Sequence, residues 1–171
     1  MRTPTLTPAV PSPRSLRLVP LRRLGWDFRV FEDGQEAAIL DLAVFRRRGV
    51  FTVAGVTYAI RRTGLLFGAY VLEPASGGRV LARAERAGLR TLRVHAGDRV
   101  LGLRGAGLLG RRFLVLHGER RVGVVRREGW LSWRVAAEFS EQLALPIRIF
   151  LAAVAIVSWR AASRGASSGG G

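Results

Sequence analysis

The run from Pro146 to Trp159 (PIRIFLAAVAIVSW) constrains the fold more than any other stretch, because it is apolar on every side and follows a long body that reads only as short strands. Between Arg148 and Arg160 the uninterrupted part is about 11 residues, roughly 16 Å of helix at 1.5 Å per residue, against about 30 Å of bilayer hydrocarbon. A helix apolar all round must be buried in something. The preceding strands are the available container, so the chain is expected to fold as one enclosed helix inside one enclosing sheet.

The body from Gly25 to Phe139 repeats with a period of two and places turn residues every seven to ten positions, the pattern of an antiparallel meander rather than of βαβ units. From Trp130 to Phe139, Leu131, Trp133, Val135, Ala137 and Phe139 share one face while Ser132, Arg134 and Glu138 share the other. Trp26, Phe28 and Val30 alternate with Asp27 and Arg29, and Val56, Tyr58 and Ile60 alternate with Thr57 and Arg61. Hairpin signals stand at Asp33-Gly34, Ser76-Gly77-Gly78, Ala96-Gly97-Asp98 and His117-Gly118-Glu119. The last three open a weak repeat of about 20 residues, one hairpin per unit, which fits an up-and-down sheet that closes on itself.

Roughly 10 to 12 strands are expected, enough for a closed antiparallel β-barrel without exposed edges. A barrel of that size is wider than its own side chains can fill, and the C-terminal helix, expected over about 146–162, supplies the plug. Pro146 suits a first helical turn, Arg160 and Arg164 suit the C-terminal end of the macrodipole, and Gly165 suits a stop. Ala152, Ala153 and Ala155 permit close approach of the sheet, and Arg148 is expected to stay wet at a barrel mouth.

Domain organisation follows from composition. The 171 residues, 49% hydrophobic with mean hydropathy +0.18, suffice for one packed domain, expected over 25–162. Residues 1–24 hold Pro4, Pro8, Pro11, Pro13 and Pro20 with five arginines and no acid; they read as a flexible basic arm rather than a secretory signal or an amphipathic transit helix. Residues 163–171 read as a disordered Gly/Ser tail.

Every basic residue is Arg, and a formal net charge of +16 points to an anionic partner: an anionic membrane surface, a phosphorylated ligand or, non-specifically, nucleic acid. A GC-rich coding bias yields the same composition, so charge alone selects no partner. The absence of Cys excludes disulfides, thiolate metal sites and cysteine nucleophiles.

The segments Val56-Thr57-Tyr58-Ala59-Ile60-Arg61-Arg62-Thr63-Gly64, Tyr70-Val71-Leu72-Glu73 with Gly78-Arg79-Val80-Leu81-Ala82-Arg83-Ala84, and Arg112-Phe113-Leu114-Val115-Leu116 with Val122-Gly123-Val124-Val125 are followed by a closing helix from Leu145 to Arg160. In these segments the chain resembles small bacterial members of the superfamily uniting the Tubby C-terminal domain, the phospholipid scramblases and the LURP-one-related proteins. The resemblance implies a closed barrel threaded by a C-terminal helix. Tubby domains bind phosphoinositides and scramblases are associated with lipid movement and calcium, but neither activity maps residue by residue: this chain has no Lys, no acidic calcium loop and no Cys run.

Little sequence chemistry supports catalysis. Gly105-Ala106-Gly107-Leu108-Leu109-Gly110 matches GxGxxG, but Arg111 to Leu116 reads as a strand, so no helix N-terminus would face a pyrophosphate and the segment is expected to be an inter-strand loop. His95 and His117 lie beside Gly turns without further ligands at metal spacing, no GxSxG elbow is present, and the 12 acids are scattered singly. A non-enzymatic protein without cofactor or metal is expected.

The remaining signal is the set of arginine clusters: Arg46-Arg47-Arg48, Arg61-Arg62, Arg111-Arg112, Arg120-Arg121 and Arg126-Arg127. Guanidinium forks suit phosphate in lipid, metabolite or nucleic acid. Adjacent strand residues face opposite ways, so the two members of a pair cannot both line one groove unless they lie in a turn. The sequence therefore predicts a cytoplasmic monomer, peripheral at the membrane, that binds anionic lipid or a phosphorylated ligand through Arg46, Arg47, Arg48, Arg61, Arg62, Arg111, Arg112, Arg126 and Arg127. A basic nucleic-acid-binding protein and a tail-anchored membrane protein spanning with Leu143 to Trp159 are the alternatives.

Overall fold

Two-residue alternation closes into a cylinder. The computed structural model describes residues 13–22, 25–42, 48–64, 68–107, 110–129, 132–140 and 142–167. Twelve strands, β1 (Arg14–Pro20), β2 (Asp27–Glu32), β3 (Gln35–Asp41), β4 (Arg48–Val53), β5 (Val56–Arg62), β6 (Tyr70–Pro74), β7 (Ala82–Gly88), β8 (Thr91–Ala96), β9 (Arg99–Ala106), β10 (Arg112–His117), β11 (Arg120–Glu128) and β12 (Arg134–Phe139), precede helix α1 (Leu145–Ser167). Each strand pairs antiparallel with its sequence neighbours, and β1 also pairs with β12, closing the barrel.

β1 revises the domain reading. Residues 14–20 are not part of a flexible arm but a barrel strand, with Leu16 and Leu18 fully enclosed. The alternation Leu16, Leu18 is short and hidden among prolines, and only the free edges of β2 and β12 give it partners on both sides.

The two barrel ends differ. One carries five connections that begin at residues 33, 54, 75, 97 and 118, four of them two-residue turns and the one after β6 running over residues 75–81, at a nearly constant spacing set by two strands and their turns. Asp33-Gly34 and Ala54-Gly55 both have positive φ at each residue, the mirror-image turn that matches strand twist. Asp33 accepts hydrogen bonds from the backbone N–H and hydroxyl of Ser15, while Ala54 bears its conformation without such help and gives no sequence signal. The other end, here called the mouth, carries the remaining loops and the C-terminal end of α1.

Inside, α1 is covered on all sides: Ile149 to Ile156 are completely enclosed, packed against Leu18, Phe28, Leu40, Leu72, Leu103, Val125, Phe139 and their neighbours. Burying this stretch is the main source of stability, since each large side chain contributes on the order of 1.5–3 kcal/mol. The expected dry face of β12 (Val135, Ala137, Phe139) and of β2 (Phe28, Val30) is the inner face, and Tyr58 and Ile60 also turn inward; Val56, at the hairpin end, is exposed.

Arg148 is not wet. It is 5% exposed, donates from Nε to the Leu143 carbonyl at 3.0 Å and pairs with Glu32, itself near the end of β2. A guanidinium in the first helical turn is carried down into the barrel with the apolar residues that follow, and Glu32 supplies the charge that makes this burial tolerable. The pair fixes the helix along the barrel axis. At the far end Arg160, also buried, donates to the Gly25 carbonyl at 2.7 Å and lies over Trp26 at 3.8 Å and Trp133 at 4.4 Å. The stretch Leu145–Ser163 is long and apolar enough to cross a membrane by length and composition, and 67% of it is buried inside the barrel.

Candidate functional site: an arginine-lined mouth

Alternation carries selected arginines past the end of the packed interior. Arg62 lies in one cross-strand row with Tyr70, Ala84, Val94 and Leu101, the last three fully buried, so it points inward at the end of β5. Arg86 is opposite Leu92, which is opposite the buried Leu103. Arg127 is opposite the buried Val135, and its N–H bonds the Arg111 carbonyl at 2.9 Å. These three strand arginines, joined by Arg111 just before β10 and Arg90 from the β7–β8 turn, line a cavity of about 780 Å³ at the mouth.

Its walls also include Tyr70, Thr91, Phe113, Trp159 and the last turns of α1 from Ser158 to Ser163, and among the described residues no carboxylate. Among the described residues Arg62, Arg86 and Arg90 form no ion pair. Arg127 donates from Nε to the Ser132 carbonyl at 3.1 Å and stacks 4.0 Å over Trp133. Burial, and next the nearby positive charge of Arg111, push its pKa down. Burial pushes the Tyr70 hydroxyl up, with Arg62 and Arg86 pulling the other way. The indole N–H of Trp159 is buried without a hydrogen-bond partner among the described residues.

The C-terminal end of α1 opens on the same cavity and carries a partial negative charge, which offers the arginines a purely structural role. Magnitudes decide against that as a full account: the macrodipole is worth about half an elementary charge, and five guanidinium groups face it. A large positive excess remains in a concave, partly apolar space.

The sequence-predicted arginines divide by face. Arg62, Arg111 and Arg127 meet in the cavity. Their chain neighbours Arg61, Arg112 and Arg126 stand on the outer wall, where Arg61 pairs with Glu73 at 2.5 Å and Arg126 with Glu138 at 3.4 Å, and Arg112 is cross-strand from Arg126. Arg48 is opposite Arg61, also outside, and Arg120 and Arg121 sit at the hairpin end. Arg46 and Arg47 lie outside the described residues. Sequence reasoning passed over Arg86 and Arg90, which form no cluster; the signal for Arg86 was the alternation Ala82, Ala84, Arg86, which continues a buried face.

The GxGxxG segment joins β9 directly to β10, so no helix follows it. His95 and His117 are exposed on strands, with His95 3.7 Å from Glu85. Among the described residues no group of three or more His, Asp or Glu could hold a metal ion. No family model, curated protein or solved structure matches this chain.

Proposed function

We propose that this barrel is a non-enzymatic binding module that takes a polyanionic, phosphate-bearing ligand, a lipid headgroup or a soluble phosphorylated molecule, into its arginine-lined mouth. The observation that carries the reading is the convergence of Arg62, Arg86, Arg90, Arg111 and Arg127 on one cavity with no carboxylate among the described residues of its walls. A guanidinium presents planar forked donors that match phosphate oxygens two at a time. A cavity of about 780 Å³ has the size of small-molecule sites, much larger than one inorganic ion, and its Phe113 and Trp159 wall favours a ligand with an apolar or planar part beside its phosphates. Twelve strands around a C-terminal helix are also the architecture that the resemblance to the Tubby-like and scramblase superfamily implies, and membership of that superfamily is part of this proposal, with binding at the membrane surface as its implied role.

Isothermal titration of the full chain with inorganic tripolyphosphate tests the reading. Saturable binding at one site, weakened but not abolished at physiological salt, is expected. Heat that grows without saturation, or that is reproduced by duplex DNA at equal phosphate with a steep salt slope, would replace the cavity with diffuse attraction to a chain of net charge +16 and favour the nucleic-acid reading.

A further inference from the structure

Gly105 and Gly110, the first and last glycines of the GxGxxG segment, both lie against the side chain of Arg90. Leu101, Leu103 and Gly105 continue one inward row of β9, with Leu101 and Leu103 fully buried, so a side chain at position 105 would point into the barrel. Gly105 is opposite Phe113, which lines the cavity. Its N–H bonds the Arg90 carbonyl at 2.8 Å, which carries the β8–β9 ladder one step past the pair Thr91 and Arg104. The β7–β8 turn is thereby fastened to β9 at a residue without a side chain.

Arg90 takes the space left open there. A Cβ on Gly105 would stand 3.1 Å from Arg90 Nε and 3.3 Å from its Cβ, and a Cβ on Gly110 would stand 2.8 Å from Nη2, all closer than ordinary van der Waals contact. The side chain therefore runs from Gly105 to Gly110 against both backbones, a close approach that glycine permits. Its guanidinium forms no hydrogen bond or ion pair among the described residues, so its N–H donors are unspent. Arg111 follows Gly110, and the Arg111 carbonyl accepts the N–H of Arg127 at 2.9 Å, so Arg90, Arg111 and Arg127 belong to one stretch of the cavity wall.

We infer that Gly105 and Gly110 are a backbone seat for Arg90, which fixes its guanidinium beside Arg111 and Arg127 as the preorganised anchor for phosphate in the cavity. The inference rests on the anion-binding reading above and adds where in the cavity the phosphate is held and what holds the anchor. An unseated arginine loses rotamer freedom when it closes on an anion; a seated one has lost it on folding, so more of each hydrogen bond appears as affinity. Arg127 is steadied in the same sense by Trp133 and the Ser132 carbonyl. The glycine spacing thus serves the close approach of an arginine side chain rather than of a pyrophosphate.

A double-mutant cycle on the full chain, read by isothermal titration with inorganic tripolyphosphate, tests the seat. Arg90→Gln should weaken binding about fivefold, Gly105→Ala about threefold, and the combined variant about fivefold rather than about fifteenfold, because the glycine acts only through Arg90. Gly105 has no positive φ, so alanine adds no backbone strain there, whereas Gly110 stands at φ +62° and is left unaltered. Gly102→Ala, on the same strand, brings a Cβ no closer than 3.8 Å to Leu116 and should bind as the wild type does. In the unaltered, ligand-free chain, nuclear Overhauser effects between the Arg90 Nε proton and the Gly105 Hα protons are expected, a readout that needs no variant to fold. Their absence, additive losses in the cycle, or unchanged binding by Gly105→Ala overturns the seat and leaves the cavity reading standing. A wild-type chain that binds no tripolyphosphate removes that reading and this inference with it.

Discussion

Removing the inward arginines and removing their outward neighbours should have unequal consequences for anion binding, although the two changes are identical in charge. Arg62 and Arg127 face the cavity; Arg61 and Arg126, one residue away on the same strands, face outward and already hold Glu73 and Glu138. A charge-assisted hydrogen bond contributes roughly 1.5–3 kcal/mol where it is shielded. The mouth is open to water, so about 1 kcal/mol per arginine is the appropriate figure after screening. Arg62→Gln/Arg127→Gln should then weaken tripolyphosphate binding by about 2 kcal/mol, roughly thirtyfold. Arg61→Gln/Arg126→Gln should cost less than about threefold, since these charges lie on the far side of the wall and are attenuated by counterions at physiological ionic strength. The assay is isothermal titration at about 0.15 M salt. A melting curve for each variant establishes that it folds, because Arg127 also holds the β11–β12 loop through the Ser132 carbonyl. Equal losses in the two variants would mean that binding reads net charge alone, and the cavity argument would fail.

Other consequences concern the elements that hold the mouth in shape. Glu32→Gln leaves Arg148 without its counter-charge; with Glu32 itself 24% exposed, a loss of about 2–3 kcal/mol is expected by chemical denaturation, whereas Arg148→Met should fall within about 1 kcal/mol of wild type. Gly123→Ala sets a new Cβ 2.7 Å from the Glu138 carbonyl oxygen and 2.9 Å from the Phe139 ring, so overpacking of about 1–3 kcal/mol should appear as a lower melting temperature; an unchanged value would contradict the close approach of β11 to β12. Burial first, then a hydrogen bond and repulsion from Asp41, raise the pKa of Asp27 above its value in the unfolded chain. The folded state therefore binds this proton more tightly, and the contribution of Asp27 to stability is greatest in acid and diminishes as pH rises through the raised pKa. Asp27→Asn should accordingly stabilise the barrel at neutral pH and not in acid, and a variant equally stabilised at both would show that charge repulsion is not the cause.

Period-two alternation and glycine turns made the barrel legible, because a strand's facing is local: Val135, Ala137 and Phe139 read as one dry face from sequence and are one. The all-round apolarity of Ile149 to Val157 required an enclosure whatever the order of the strands around it. Local rules failed where the answer depended on a distant partner. β1 was hidden because its seven residues become a strand only between β2 and β12, the latter more than a hundred residues away in the chain. Arg148 looked like a rim residue because Glu32, which permits its burial, is 116 positions distant.

The arginine clusters show the same division. Their adjacency dictated that each pair must split between two faces, a consequence of the extended backbone alone. Which member turns inward depends on the register of every strand with the next, and that is fixed only when the ring closes around α1. Closure brings Arg62, Arg86, Arg90, Arg111 and Arg127 from separate segments to one opening and leaves Arg61, Arg112 and Arg126 on the outer wall. The chain by itself determined a helix in need of burial, strands able to surround it and a surplus of positive charge; tertiary structure alone decided where that charge converges, because convergence is a relation among strand ends that no stretch of sequence contains.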